Sequence, residues 1–441
     1  MTSSTGRLFR WPVFLFLLLA ISRLIAAEFG LRVNQPTLDR WMYPFDFEPG
    51  TRTYAATFGS FDSRFDTRDA QFLLGWNLES LVPTNQPPRH YLLRRARVAV
   101  TISRNESFFY DPTYDSFVTY MTNQPGYIPD SDLGRPIELH GAAFRGTNSQ
   151  TGVAYSADTF QENDRFGPIN AFTSPNISIG TRHAYAADFD PNGVLVDIAN
   201  HVGQRNADWT NAPFEAHPWA IGITTNAAPG QLVPDGSVLN FDVDLADPLI
   251  HAYFQAALST GRLRLFISSL SPAQQGTVGG TGNGGFGSYP LYATKENALY
   301  DPPRLELDGV LVSDTDSDAD GLPDDWEKFY FGDLADTAAT DPDGDGADNA
   351  REWATGTDPN DATSVFRLVS TTFDTDGQAT VRFTVAPSRS YRVEISSDLQ
   401  NWAPANGSLT YPDKGVAEFR EQKLNVPPAS PVASYCRVVI E

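Results

Sequence analysis

The sequence predicts a mainly β protein in three parts: an N-terminal jelly-roll or sandwich domain, an acidic loop-rich spacer, and a small C-terminal β-sandwich. Three observations predict this. Between Glu28 and Val312, short alternating runs are divided by clusters of Pro, Gly, Asn and Asp, which is how strands and turns are written. From 314 to 361 the alternation stops, and sixteen acids against two bases, Lys328 and Arg351, give a local net charge of −14. From Phe366 to Glu441 the alternation resumes. The expected divisions are therefore residues 1–27, 28–312, 313–365 and 366–441.

Residues 1–27 read as a secretory signal peptide. Arg7 and Arg10 form a basic start, Trp11 to Ile21 an apolar run, and Ile25-Ala26-Ala27 a cleavage site before Glu28. The run is shorter than the roughly 20 residues a transmembrane helix needs, and no later stretch approaches a span. On this reading the protein lies outside the cytoplasm, secreted or at the cell surface; the alternative is an uncleaved membrane anchor.

In residues 28–312 the expected strands are Phe72–Trp76, Tyr91–Ser103, Ile137–Phe144, Trp219–Thr224, Val238–Val243, Arg262–Ser268 and Leu305–Leu311, with Val194–Ile198 as one more. Arg95–Ser103 and Arg262–Leu270 resemble helices in length, but their alternation and branched residues favour strands. One helix interrupts the pattern. Asp247-Pro248 starts it, Gly261 stops it, and Leu249, Tyr253 and Ala256 fall on one face. The order of strand, Asp-rich turn, helix and strand over Asn240–Leu270 resembles jelly-roll modules of the carbohydrate-binding kind. Gly280-x-Gly282-x-x-Gly285 matches a dinucleotide fingerprint by letter only, since no helix pattern follows it, and reads as a flexible loop.

The chain of 441 residues carries a net charge of −22. Such a balance argues against nucleic-acid and anionic-lipid partners, which select Lys/Arg surfaces. The single cysteine, Cys436, excludes an intrachain disulfide and sits in a strand-like run, as a buried, inert thiol would.

The acidic stretch has an internal order. Asp316-x-Asp318-x-Asp320-Gly321-x5-Glu327 recurs further along as Asp341-x-Asp343-x-Asp345-Gly346-x5-Glu352. Both runs fit the twelve-residue EF-hand loop. Calcium takes six to eight oxygen ligands at about 2.3–2.6 Å. Acids at positions 1, 3 and 5, a carbonyl at 7, a group at 9 and a bidentate Glu at 12 supply them, while Gly at 6 permits the turn. The expected ligands are Asp316, Asp318, Asp320, the Leu322 carbonyl, Asp324 and Glu327. In the second loop they are Asp341, Asp343, Asp345, the Ala347 carbonyl, Asn349 and Glu352. Helix-like segments follow at Asp324–Phe329 and Asn349–Trp353, with Trp326, Phe329, Tyr330 and Trp353 as apolar bulk. A long entering helix is not evident, and Pro323 and Pro342 lie inside the loops. The unit is a loop with an exit helix rather than a paired EF-hand domain.

These residues carry a resemblance. DTDSDADGLPDDWE followed by DPDGDGADNAREWATGTDPNDATS resembles the thrombospondin type 3-like, or dockerin-like, calcium repeats of secreted bacterial proteins over about 50 residues. The resemblance implies several calcium ions in a compact spacer, with Asp314 and the tail Gly356–Asp361 as further ligands. Near the C-terminus, Tyr391-x-Val393-x-x-Ser396-x-Asp398-Leu399-x-x-Trp402 resembles fibronectin-like C-terminal domains of such proteins. In the residues themselves, Tyr391, Leu399 and Trp402 read as core.

No G-x-S-x-G or H-E-x-x-H run is present, and His90, His140, His183, His201, His217 and His251 show no i, i+4 pair. Asp111, Asp115, Asp130, Asp132 and Glu138 lie near Phe108, Phe109, Tyr110 and Tyr114, as acids and aromatics of a sugar cleft would; the alternative is loops whose aromatics fill the core. The preferred reading is an exported, non-catalytic, calcium-binding adhesion or surface-binding protein, meeting an extracellular polysaccharide or a cell-surface protein. A carbohydrate-binding jelly roll and a secreted glycoside hydrolase are the alternatives.

Overall fold

Between Ala27 and Leu311 the chain forms strands β1 (Ala27–Val33), β2 (Leu38–Met42), β3 (Tyr54–Ala56), β4 (Gln71–Asn77), β5 (Tyr91–Thr101), β6 (Ile137–Phe144) and β7 (Ala184–Phe189). They are followed by β8 (Leu195–Asp197), β9 (Ala220–Ile221), β10 (Val238–Asp242), β11 (Arg262–Ser269), β12 (Leu291–Ala293) and β13 (Arg304–Leu311). This computed structural model describes residues 27–440 apart from 44–49, 60–67, 69, 120–125, 149, 165–182, 191–193, 202–214, 273–288, 374–378, 385–390, 405–423 and 427–434. The expected signal peptide (save Ala27, which opens β1), the glycine loop and the stretch 416–419, which the resumed alternation also reads as a strand, lie outside the described residues.

Two antiparallel sheets face each other. One runs β1-β13-β5-β10, the other β2-β4-β11-β6-β7-β8 with β9 also pairing β6. Val98, Leu239, Phe241, Leu305 and Leu307 of the first meet Phe72, Leu74, Trp76, Leu139, Leu263, Leu265 and Ile267 of the second in one core. The fold is mainly β, as the alternation predicts.

The two sheets differ on their outer faces. On the first, Arg97 of β5 stands opposite Asp242 and Glu306, and Arg95 opposite Asp308, so the exposed face is a ladder of opposite charges. Each such cross-strand pair contributes about 0.2–1 kcal/mol. The second sheet is buried on both faces along β4, β6 and β11. Leu73, Ala142 and Phe266 form a second apolar cluster there with Phe160 and Ala186. Burial on both sides lets apolar residues occupy both faces of β11, which weakens its alternation without erasing it.

The expected strand Trp219–Thr224 is shorter than its pattern. Only Ala220 and Ile221 pair with β6, and Ile223 then bridges Asn240 of the opposite sheet. The chain turns a corner between sheets here, so it cannot extend one ladder. Trp219 packs over β6 at Gly141, where a Cβ would lie 2.1 Å from its Cη2. Gly141→Ala is expected to destabilise the sandwich by about 1–3 kcal/mol through overpacking, read as a lower urea midpoint at unchanged slope.

Helix α1 (Pro248–Thr260) has the expected ends. Asp247 accepts from the Leu249 and Ile250 amides, and Gly261 adopts φ 73°. Its core face is one residue further round than expected, being Ile250, Phe254, Ala257 and Leu258. The reason is Tyr253, whose hydroxyl donates to the carbonyls of Arg264 (2.6 Å) and Ala142 (3.1 Å) at the sheet margin, leaving ring-only Phe254 to enter the core.

Short helices α2 (Asp324–Tyr330) and α3 (Asn349–Thr355) follow the acidic loops. Beyond them lie β14 (Leu368–Phe373), β15 (Ala379–Phe383), β16 (Tyr391–Ser396), β17 (Ala403–Pro404), β18 (Leu424–Val426) and β19 (Tyr435–Ile440). These make sheets β14-β15-β18 and β17-β16-β19 around Val381, Phe383, Tyr391 and Val393. Tyr391 is core as expected, whereas Leu399 is 55% exposed with φ 61° at a turn, and Trp402 lies under Arg437. Cys436 packs partly into this core, and burial pushes its thiol pKa up.

Candidate metal centre

Strand β13 ends at Leu311, and the first acidic loop starts at Asp316, five residues later, without an entering helix. Asp325 ties this junction, its Oδ2 accepting from the Ser313 amide (2.9 Å) and hydroxyl (2.6 Å). The sequence offers no signal for that role beyond one more acid.

The two loops share much of one hydrogen-bond frame, although Asp320 Oδ2 also accepts from the Ala338 amide (2.6 Å) and Asp343 Oδ1 from the Asp345 amide (3.1 Å) without a counterpart among the described residues. Asp316 accepts from the Ala319 amide (2.8 Å) and the Gly321 amide (3.0 Å); Asp341 accepts from Gly344 and Gly346 at the same distances. Asp320 accepts from the Leu322 amide and Asp345 from the Ala347 amide. The Asp324 amide donates to Thr315, and the Asn349 amide to Thr340, both at 2.8 Å. Gly321 and Gly346 have φ of 100° and 97°, a region that an L side chain rarely adopts. This frame folds Asp316, Asp318 and Asp320 so that one oxygen of each lies within 4.8 Å of the others, and Asp341, Asp343 and Asp345 likewise.

At position 12 the exit helices turn Glu327 and Glu352 inward, to 0% and 1% exposure. Both carboxylate oxygens of Glu327 are buried without a hydrogen-bond partner among the described residues. Glu352 Oε1 accepts from the Thr357 hydroxyl at 2.6 Å, and its Oε2 has no partner among them. Asp343 Oδ2, Asp345 Oδ2 and Asn349 Oδ1 are buried and unpartnered in the same way. Burial, followed by repulsion from Asp320, Asp318, Asp324 and Asp316, pushes Glu327 up to about 7. Burial and the charges of Asp343, Asp345 and Asp358 push Glu352 to about 7 despite the Thr357 hydrogen bond.

Position 9 differs between the loops. Asn349 presents its unpartnered oxygen while its side-chain amide donates to the Thr337 carbonyl. Asp324 is occupied by the Ser317 amide and hydroxyl and by Lys328, and against the pull of burial these hold its pKa low. The tail returns toward the second loop, where Asp358 acts electrostatically on Glu352 and Asp343. Asp361 instead closes a turn by accepting from Thr363.

The loops rest on the sandwich. Trp326 is 3% exposed and clusters with Leu322, with Leu92 of β5 and with Val312; Tyr330, Phe331 and Trp353 complete the cluster. Trp326 and Trp353 lie 6.0 Å apart, joining the two exit helices, and Arg94 covers Phe329.

The acids of the expected sugar cleft separate. Asp111, Asp115 and Asp132 converge to within 4.8 Å, and Asp130 shares Arg135 with Asp115. Glu138 lies instead on β6, 2% exposed, against Arg68 and His140; burial alone would raise its pKa, yet these partners hold it near 2. Phe108 and Tyr110 are core residues. At the edge strand β2, Trp41 stacks on Tyr43 at 4.8 Å and meets Phe58 edge-on, so these rings face each other and form no flat strip. His251 accepts from the Leu93 amide, and burial holds it at about 4. A further acidic trio, Asp39, Glu162 and Glu296, surrounds Lys295, which offsets its charge.

No helix among the described residues is long and apolar enough to cross a membrane. No family model matches the chain, and no curated protein matches it.

Proposed function

We propose that the chain is an exported, non-catalytic calcium-binding protein. In this reading the two acidic loops take up calcium to lock a spacer against the N-terminal sandwich, leaving that sandwich to meet an extracellular polysaccharide or cell-surface protein. One observation carries it: the position-12 glutamates of two loops with the same frame present buried oxygens that no protein donor among the described residues satisfies. A buried, unpartnered carboxylate is costly, and a cation is the group that removes the cost. The donors are all oxygen, the set that hard cations such as calcium select. The resemblance to thrombospondin type 3-like repeats supports calcium, and the basic-then-apolar start of the chain supports export.

Calorimetric titration of the full chain with calcium tests the proposal, with heat for two or more ions expected. Absence of heat at millimolar calcium removes the reading.

A pH dependence follows. Free glutamate titrates near 4.5, whereas the folded, metal-free loops hold Glu327 and Glu352 near 7. The folded form therefore binds more protons between those values. Its stability in EDTA is greatest below about 4.5 and falls as pH rises through about 7. Calcium displaces those protons, so its affinity is expected to weaken as pH drops below about 7. Glu327→Gln mimics the protonated acid. It should raise the thermal midpoint in EDTA at about pH 8 and lower it in calcium. Midpoints that move the same way in both media would oppose a metal-binding role for Glu327.

A further inference from the structure

We propose a third divalent-cation site, of the hard, oxygen-ligated calcium class, in the N-terminal sandwich at Asp111, Asp115 and Asp132. It lies outside the spacer and stands independently of the two loops. The connection from β5 to β6 passes through a bridge between Phe109 and Leu232, then brings the three carboxylates together with one oxygen of each within 4.8 Å of the others. Asp111 is 3% exposed and Asp115 is 7% exposed.

The hydrogen bonds of the cluster leave one buried oxygen without a partner among the described residues. Asp111 Oδ1 accepts from the Thr113 amide (2.8 Å) and hydroxyl (2.6 Å). Asp111 Oδ2 is buried and has no hydrogen-bond partner among the described residues. Arg135 pairs with Asp115 Oδ2 at 2.9 Å and with Asp130 Oδ2 at 3.5 Å. Asp111 and Asp132 have no ammonium or guanidinium within ion-pair distance among the described residues. The Thr113 hydroxyl also lies 3.3 Å from Asp132 Oδ2, linking the two carboxylates.

Carboxylates crowded at low dielectric repel, and a buried carboxylate oxygen without a donor is unfavourable. A divalent cation satisfies both, coordinated by Asp111, Asp115 and Asp132 with water completing the sphere on the exposed Asp132 side. The donors hold no nitrogen or sulfur, which disfavours zinc and copper.

The test is the number of calcium ions bound per full-length chain, measured by equilibrium dialysis against millimolar calcium and elemental analysis. Asp132→Asn, at an exposed position, is expected to lower the count by one with circular dichroism unchanged. Asp111→Asn should do the same. Both losses should recur in a background carrying Glu327→Gln and Glu352→Gln. An unchanged count in folded Asp132→Asn overturns the third site, whatever the buried Asp111→Asn does. If the two glutamine substitutions leave the count unaltered while Asp132→Asn lowers it, the spacer reading fails and the third site stands.

Discussion

Chelating calcium from the full chain is expected to unfold residues 314–361 while the two β bodies remain folded. This segment carries a net charge of −14, and its own apolar content is small. Among the described residues, its cluster of Leu322, Trp326, Phe329, Tyr330, Phe331, Ala338 and Trp353 is completed by Leu92 and Val312 of the sandwich. Without cations, the inward carboxylates repel at short range and the frame must open or take up protons. Each calcium held at about a hundred times its dissociation constant adds about 2.7 kcal/mol, so two sites add about 5 kcal/mol, comparable to the whole stability of a small domain. Trp326 and Trp353 both lie in this segment, so tryptophan emission should shift to the red in EDTA and return with calcium. A calorimetric scan should resolve an early transition in EDTA that calcium moves upward. Superimposable scans in the two media would show that the loops hold themselves.

Glu138→Gln is expected to destabilise the N-terminal sandwich by about 3–5 kcal/mol, because it removes one charge from a buried ion pair with Arg68. Glu138 lies opposite Ser268 on the neighbouring strand, Arg68 also donates to the Ser268 hydroxyl at 3.2 Å, and His140 lies 3.3 Å from the same carboxylate. For a body of this size the loss corresponds to a fall of about 10 °C in thermal midpoint. Glu138 has its folded pKa depressed to about 2 from 4.5. Its contribution is therefore present above about 4.5 and disappears as pH falls toward about 2. The gap between wild type and Glu138→Gln should narrow over that window. Replacing Arg68 and Glu138 together by apolar residues should restore part of the loss, since a buried pair contributes little beyond its own desolvation. An undiminished midpoint in Glu138→Gln at neutral pH would contradict the pairing.

Local chemistry made much of the fold legible. Strand β6 spans Ile137–Phe144 as its pattern indicates, and helix α1 begins and ends at Asp247 and Gly261 because capping is decided within a turn of the chain. The recurrence of the acidic loop is legible for the same reason: Asp316 and Asp341 bond amides three and five residues ahead. Strands β2 and β7 were not legible. Their faces are defined by what covers the large sheet, and segments such as Leu38–Met42 and Ala184–Phe189 gain their meaning only against β4 and β6.

The sequence by itself determined the β class, the spacing of the two acidic loops and the ends of the long helix. All of these depend on contacts within a few residues or on a period of two. Tertiary structure alone decided that Glu138 meets Arg68, 70 residues away, while Asp111, Asp115 and Asp132 gather around a different point. It also decided that Glu327 and Glu352 turn inward, with oxygens that no donor among the described residues reaches. The physical reason is that charge partnership is set by distance in space and by the water excluded around it. Neither quantity is written in the order of the residues.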